Sequence, residues 1–574
     1  MDQPGSTGEG TAGRDRSPAE QSANNSSEDG EAAAPPATRI RFQEVTSESG
    51  VSFVYQNGEA AGHFAILESL GGGVGVIDFD RDGADDLFLP GGGTLDENVV
   101  PHGVPNGVFR NRGDWRFDDV SDVSGAMDCE MYSHGAACAD FDNDGFADVV
   151  VTGYGGLQFH RNLGDGTFQE VAQRHGLIDD LWSSSAAWGD VNRDGILDLY
   201  VAHYVDWSPD HHPFCAGPEE GKREVCPPRE FAPLPDTLFL GQPDGTFQRS
   251  SQVLGETGKG LGVVIADFNA DQQADIYVTN DTVPNLLYEN TGAGNLSDVS
   301  LISGTSLSDR GVPDGSMGVH VLDFDNNGHF DLWVANYERE SSALYQGHPD
   351  LLFRHVSQRT GVTAVGAAYV GWGTVCFDAD HDGDEDAFIS NGHVIRYPRS
   401  APLRQTPLVF ENQDGSRFEN VAEAAGDYTA SPHMGRGAAF SDLDQDGDLD
   451  LIVNHTNEPV ALLRNDSTSG HFLQMQLIGR TSPRDAVTAV VTVSVGERTI
   501  RRQWIGGGSY ASTLSGQLHF GLGHASNSDS NTLPAVTLTV DWPSGRQQTF
   551  TDVGVDQLVV IHETRPALIS LRNQ

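Results

Sequence analysis

Basic residues are scarce in this chain: 34 Lys and Arg stand against 83 Asp and Glu in 574 residues, a formal net charge of −49. A field of that sign repels phosphate backbones and argues against a nucleic-acid partner. Cysteine is scarcer still, with 5 residues, too few for a disulfide scaffold. Their odd number leaves at least one thiol unpaired. Cys215 and Cys226 flank an insertion with no strand pattern, where a bridge would staple a loop. Cys138 and Cys376 sit in apolar runs and are expected as buried thiols; Cys129 either reaches Cys138 or stays free. No run approaches the ~18 apolar residues of a membrane span, so no transmembrane segment is expected. No signal peptide is visible, since Met1 leads straight into a polar segment. G-x-S-x-G, H-E-x-x-H and phosphate-loop motifs are all missing.

What the chain has in abundance is one acidic pattern, D-x-[DN]-x-[DN]-G-x-x-D, repeated seven times. Its polar positions one, three, five and nine are Asp78, Asp80, Asp82 and Asp86 in the first loop, and Asp140, Asp142, Asp144 and Asp148 in the second. They are Asp190, Asn192, Asp194 and Asp198 in the third, and Asp267, Asn269, Asp271 and Asp275 in the fourth. The fifth has Asp323, Asp325, Asn327 and Asp331; the sixth, Asp378, Asp380, Asp382 and Asp386; the seventh, Asp442, Asp444, Asp446 and Asp450. Acidic side chains at alternating positions of a tight loop converge, and an all-oxygen cage of this kind suits calcium. An EF-hand would need a bidentate Glu at position twelve on an exiting helix. Here position twelve is Leu89, Val151, Val201, Val278, Val334, Ile389 or Val453, and β-rich runs such as Val149–Val151 follow, so the loops join strands. Up to seven calcium sites are expected. The fourth loop should be weakest or empty, because Gln272 replaces the glycine of position six and must turn left-handed.

Around each loop the pattern predicts four short strands per unit of about fifty residues, the layout of a propeller blade. The expected fold is all-β: a seven-bladed β-propeller over 38–465, followed by a small β-sandwich-like domain over 466–565 and a C-terminal tail at 566–574. Residues 1–37 have almost no apolar content and read as a disordered polar tether. The seventh unit lacks an outer strand after Arg464, while Arg41–Val45 matches the outer strand Thr167–Val171. The N-terminal strand is therefore expected to close the ring, which removes exposed edges.

The loops, together with Asn162-Leu-Gly-Asp-Gly-Thr-Phe168, resemble the FG-GAP/VCBS repeat of integrin-α-like propellers. Gly506-Gly-Gly-Ser-Tyr510, His519-Phe-Gly-Leu-Gly523 and Asp541-Trp-Pro-Ser-Gly545 resemble the ASPIC/UnbV domain. The combination is similar to the cartilage acidic protein family and its bacterial secreted relatives. That resemblance implies secretion, calcium binding and an adhesion or interaction role, and supplies no reaction.

The expected function is thus a secreted or surface-tethered calcium-binding module for an unidentified extracellular protein or glycan. The location is extracytoplasmic (secreted, periplasmic or lipoprotein-like), with Met1 standing after a removed export signal and the N-terminal segment available as a membrane tether. The insertion from Trp207 to Pro235 and the loop from Val394 to Thr406 are the expected contact elements, with Trp207, Phe214 and Phe231 as exposed aromatics. Arg112-Gly-Asp114 falls on a blade turn, which already explains its Gly-Asp. The alternative is an extracytoplasmic enzyme or transition-metal redox protein using His203, His211 and His212, with His393 and His433 elsewhere.

Overall fold

Every acidic loop connects two antiparallel strands, and the strand that follows it buries its β-branched and aromatic residues, as in Asp198–His203 and Asp331–Asn336. The computed structural model describes residues 38–127, 130–255, 257–524 and 535–571. The expected tether at 1–37 and the partner of Cys129 lie outside those residues. Seven sheets each carry one acidic loop between their first two strands. Blade one comprises Gly75–Ile77, Asp86–Leu89, Gly107–Asn111 and Phe117–Asp119. The innermost strands of the next six are Tyr132–Ala139, Ser183–Gly189, Gly260–Ala266, Ser316–Leu322, Gly371–Phe377 and Gly435–Ser441. Each packs against the next, and Gly435–Ser441 returns to Gly75–Ile77, which closes a ring.

Closure uses both ends of the propeller. Phe42–Glu44 pairs antiparallel with Ala461–Asn465, Phe42 opposite Asn465 and Glu44 opposite Leu463. The N-terminal strand is thus the outer strand of the seventh sheet, and no hydrophobic edge is left open there.

Beyond the ring, two four-stranded sheets enclose a second core. His471–Ile478, Leu518–Gly523, Leu558–His562 and Ile569–Leu571 form one, and Val490–Val495, Arg498–Gln503, Val536–Asp541 and Gln547–Val553 the other. Leu473, Met475 and Ile561 meet Val491, Val493 and Leu538 between them. Ile569–Leu571, read from sequence as a tail, pairs with Leu558–Val560.

Between Gln503 and Leu518 this domain sends a loop down the axis of the ring. Gly506–Gly507 pairs with Val264 and Ile265, and a Cβ on Gly506 would lie 1.8 Å from the Trp188 carbonyl oxygen. The Ser509 hydroxyl donates to the Ala438 carbonyl at 2.6 Å and accepts the Thr374 N–H at 3.2 Å. Ala136 N–H donates to the Ala511 carbonyl, and Thr513 N–H to the Val74 carbonyl. With Ser509 also paired to Val319, one loop touches the inner strand of all seven sheets. Its tip, Tyr510, is fully buried, accepts the Gly71 N–H at 3.0 Å and meets Trp372 edge-on.

Candidate metal centres and the domain that covers them

Each acidic loop is shaped by its own carboxylates. The position-one carboxylate accepts the N–H of position six in all seven, from Gly83 to Asp78 at 3.2 Å through Gly447 to Asp442 at 3.1 Å. The position-nine carboxylate accepts two backbone N–H groups, one from position two and one from the third strand of the same sheet. Asp86 takes those of Phe79 and Asn111, and Asp198 those of Val191 and Gly241. Asp86, Asp198, Asp275 and Asp331 are completely buried in this role.

Positions one, three and nine converge in five loops. Asp78, Asp80 and Asp86 bring ligand oxygens within 4.8 Å of one another, as do Asp140, Asp142 and Asp148; Asp323, Asp325 and Asp331; Asp378, Asp380 and Asp386; and Asp442, Asp444 and Asp450. Four of these groups hold a buried carboxylate oxygen with no hydrogen-bond partner: Oδ1 of Asp78, Asp140, Asp325 and Asp444. Such an atom costs on the order of 1–3 kcal/mol or more if nothing satisfies it. A hard cation bound by oxygen donors would do so, and the donor set fits calcium. The proton affinities agree. Burial first, and neighbouring carboxylates next, push Asp78 up to about 7 and Asp140 up to about 7, while burial pushes Asp86 up to about 9. Held as anions together, these groups need a counter-charge.

The remaining predicted residues behave differently. Asp82, Asp144, Asp194, Asp271, Asn327, Asp382 and Asp446 at position five each accept the N–H two residues on, so one oxygen caps the loop. In the third and fourth loops Asn192 and Asn269 stand at position three, and three carboxylates do not gather there. Gln272 does adopt the left-handed backbone, at φ 68°. Arg110 reaches Asp80 at 2.5 Å and Arg161 reaches Asp142 at 2.6 Å, so two cages also carry an arginine at their outer edge.

Position four is a feature that sequence reading missed. Arg81, Asn143, Arg193, Ala270, Asn326, His381 and Gln445 all have φ between 51° and 62°. Their side chains share no chemistry, so only the repeated register would have found them.

The five histidines of the alternative reading do not assemble. His203 Nε2 lies 2.9 Å from Asp179, His212 Nδ1 accepts the Trp207 indole N–H, and His433 stacks on Tyr428. Among the described residues no candidate metal group contains a histidine.

The expected exposed aromatics are corrected in part: Trp207 and Phe231 are buried, at 3% and 4% exposure, while Phe214 is exposed. The insertion, closed by the Cys215–Cys226 disulfide, lies over the face opposite the acidic loops. Glu224 accepts the N–H groups of Arg396 and Tyr397 from the other expected contact loop, and His212 Nε2 bonds the His63 carbonyl. Burying its aromatics holds the insertion down, which a Gly- and Pro-rich sequence does not announce. At Arg112-Gly-Asp114, Gly113 and Asp114 are both left-handed, as a turn requires.

The C-terminal domain sits on the acidic loops themselves. Asp485 accepts the Asp140 N–H at 2.7 Å, and the Arg484 guanidinium lies 3.2 Å from the Asp140 carboxylate. Gln474 donates to Asp442, Arg502 pairs with Glu385 at 3.1 Å, and Arg501 donates to the Gly328 carbonyl. Loops and domain therefore share one electrostatic interface.

Comparison with known proteins fits this architecture. The FG-GAP-like repeat family matches residues 78–151, 140–201 and 267–334, and the ASPIC and UnbV family matches 479–567. Cartilage acidic protein 1 of Homo sapiens is 25% identical over 513 residues, covering 83% of this chain and 69% of that protein. Its Mus musculus counterpart is 25% identical over 297 residues, or 50% of this chain and 42% of that protein, so the match spans less than half of the mouse relative. Among solved structures, an Agrocybe aegerita lectin that recognises non-reducing terminal N-acetylglucosamine aligns with a TM-score of 0.39 at 16% identity, over 68% of this chain and 87% of that one. Repeats, C-terminal domain and low-identity homology together make this an FG-GAP-like repeat protein with an ASPIC/UnbV domain that is similar to cartilage acidic protein 1.

Proposed function

We propose that this protein is an extracytoplasmic, calcium-loaded propeller that works as an adhesion or interaction module for a protein or glycan. The carrying observation is the set of partnerless buried oxygens on Asp78, Asp140, Asp325 and Asp444, each inside a group of three converging carboxylates. The residues at positions one, three and nine would hold the ion, and calcium would supply charge neutralisation and cross-linking of adjacent strands. At free calcium ~100-fold above the dissociation constant, each site adds about 2.7 kcal/mol, and several such sites rival a domain's net stability. The Cys215–Cys226 disulfide supports an oxidising compartment, and no helix among the described residues is long and apolar enough to cross a membrane. Calorimetric titration of chelator-stripped protein tests the reading: saturable uptake of several calcium ions, with a rise in melting temperature, is the expected result. Absence of uptake refutes it.

A further inference from the structure

We propose that the cleft between the first, second and seventh acidic loops and the C-terminal sandwich binds a neutral saccharide through neighbouring hydroxyls. The cleft encloses about 800 Å³, within the ~300–1,000 Å³ range of small-molecule sites, and it lies at a domain interface where such sites concentrate. Asp78, Asp140 and Asp442 line one side. Asp140, at 2% exposure, gives its partnerless Oδ1 to the ion of the second loop, so the polar partners of a ligand come from the rest of the lining.

The rest of the lining selects the ligand class. Four primary amides face the cleft: Gln445, Gln474, Gln476 and Gln517. An amide presents a donor and an acceptor side by side, which matches two adjacent hydroxyls. Gln476 is exposed and Gln517 half-buried, and both line the cleft. Gln474 commits Nε2 to Asp442 at 2.8 Å and keeps Oε1. The Trp504 indole N–H, on the same lining, is buried without an acceptor. Leu514 and Leu558 add apolar surface for the carbon face of a sugar ring. Arg484, also on the lining, is engaged by Asp140, and a chain of net charge −49 disfavours an acidic ligand. This inference rests on the calcium reading in one respect: bound ions hold the carboxylate wall of the cleft together by offsetting its charge.

The test uses the calcium-replete full chain on an array of neutral oligosaccharides, followed by calorimetric titration of the strongest binder. Gln476→Ala and Gln517→Ala, at accessible positions that leave the melting temperature unchanged, are each expected to weaken binding about tenfold, the loss of a bidentate polar partner. Phe214→Ala on the opposite face should leave the affinity within about twofold, and chelation should release the saccharide. Binding lost in Phe214→Ala and kept in both glutamine variants overturns the site. So does a chain that fills its loops with calcium yet captures no neutral saccharide, an outcome that leaves the calcium reading standing. Binding that needs the glutamines but survives chelation upholds the cleft and refutes the part given to calcium.

Discussion

Ser509 and Val319 exchange two backbone hydrogen bonds, Ser509 N–H to the Val319 carbonyl at 2.6 Å and Val319 N–H to the Ser509 carbonyl at 3.0 Å. One residue belongs to the C-terminal domain and the other to an inner strand of the fifth sheet. The axial loop thereby behaves as an eighth structural element of the ring, pairing where a propeller usually leaves a channel.

Gly506→Ala tests that role. The added methyl has no room beside the Trp188 carbonyl, and overpacking of this kind costs about 1–3 kcal/mol. A lower melting temperature is expected. Gly516→Ala, with open space around it, serves as the control and should change little.

Gln272→Gly should stabilise the fourth loop by about 1 kcal/mol, because glycine adopts the left-handed backbone without the Cβ penalty. Urea denaturation at fixed calcium reads this directly. An unchanged midpoint would mean that Gln272 is not strained at φ 68°.

Asp198→Ala separates the structural role of position nine from metal binding, since the third loop gathers no three carboxylates. It leaves the buried N–H groups of Val191 and Gly241 without acceptors, at ~1–3 kcal/mol each. Asp198→Asn retains one acceptor and should lose roughly half as much. Chemical denaturation of the two variants gives the comparison.

Calcium should fill the five three-carboxylate loops before those at Asp190 and Asp267. Asp325→Ala is expected to remove one tight site from the calorimetric stoichiometry, and Asn269→Ala to leave the tight sites unchanged in number. Equal losses in both variants would contradict the ranking.

Acid should destabilise the ring through its buried neutral histidines. Burial lowers His134 to about 3 and His160 to about 4, both below the unfolded value near 6.5. A depressed folded pKa gives stability that is present above pH ~6.5 and is lost as pH falls towards the folded value. His134→Gln, whose side-chain oxygen can still accept the Trp182 indole N–H that His134 Nε2 now takes at 2.7 Å, should flatten the fall of melting temperature between pH 6.5 and 4. A slope equal to that of the unmodified protein would exclude His134 as a contributor.

Local chemistry alone determined much of this protein. A nine-residue acidic pattern specifies its own turn through carboxylate-to-backbone bonds, so the loops, the flanking strands and the N-terminal strand that closes the ring at Phe42 are all legible in the sequence. Only the tertiary structure decided what depends on contacts between distant segments. That the Gly506–Tyr510 stretch fills the axis, that Trp207 and Phe231 turn inward, and that Gln476 and Gln517 face the Asp78 loop across a cleft are outcomes of packing. No residue in those stretches names its partner, because burial is set by the surface that meets it and not by the chain that carries it.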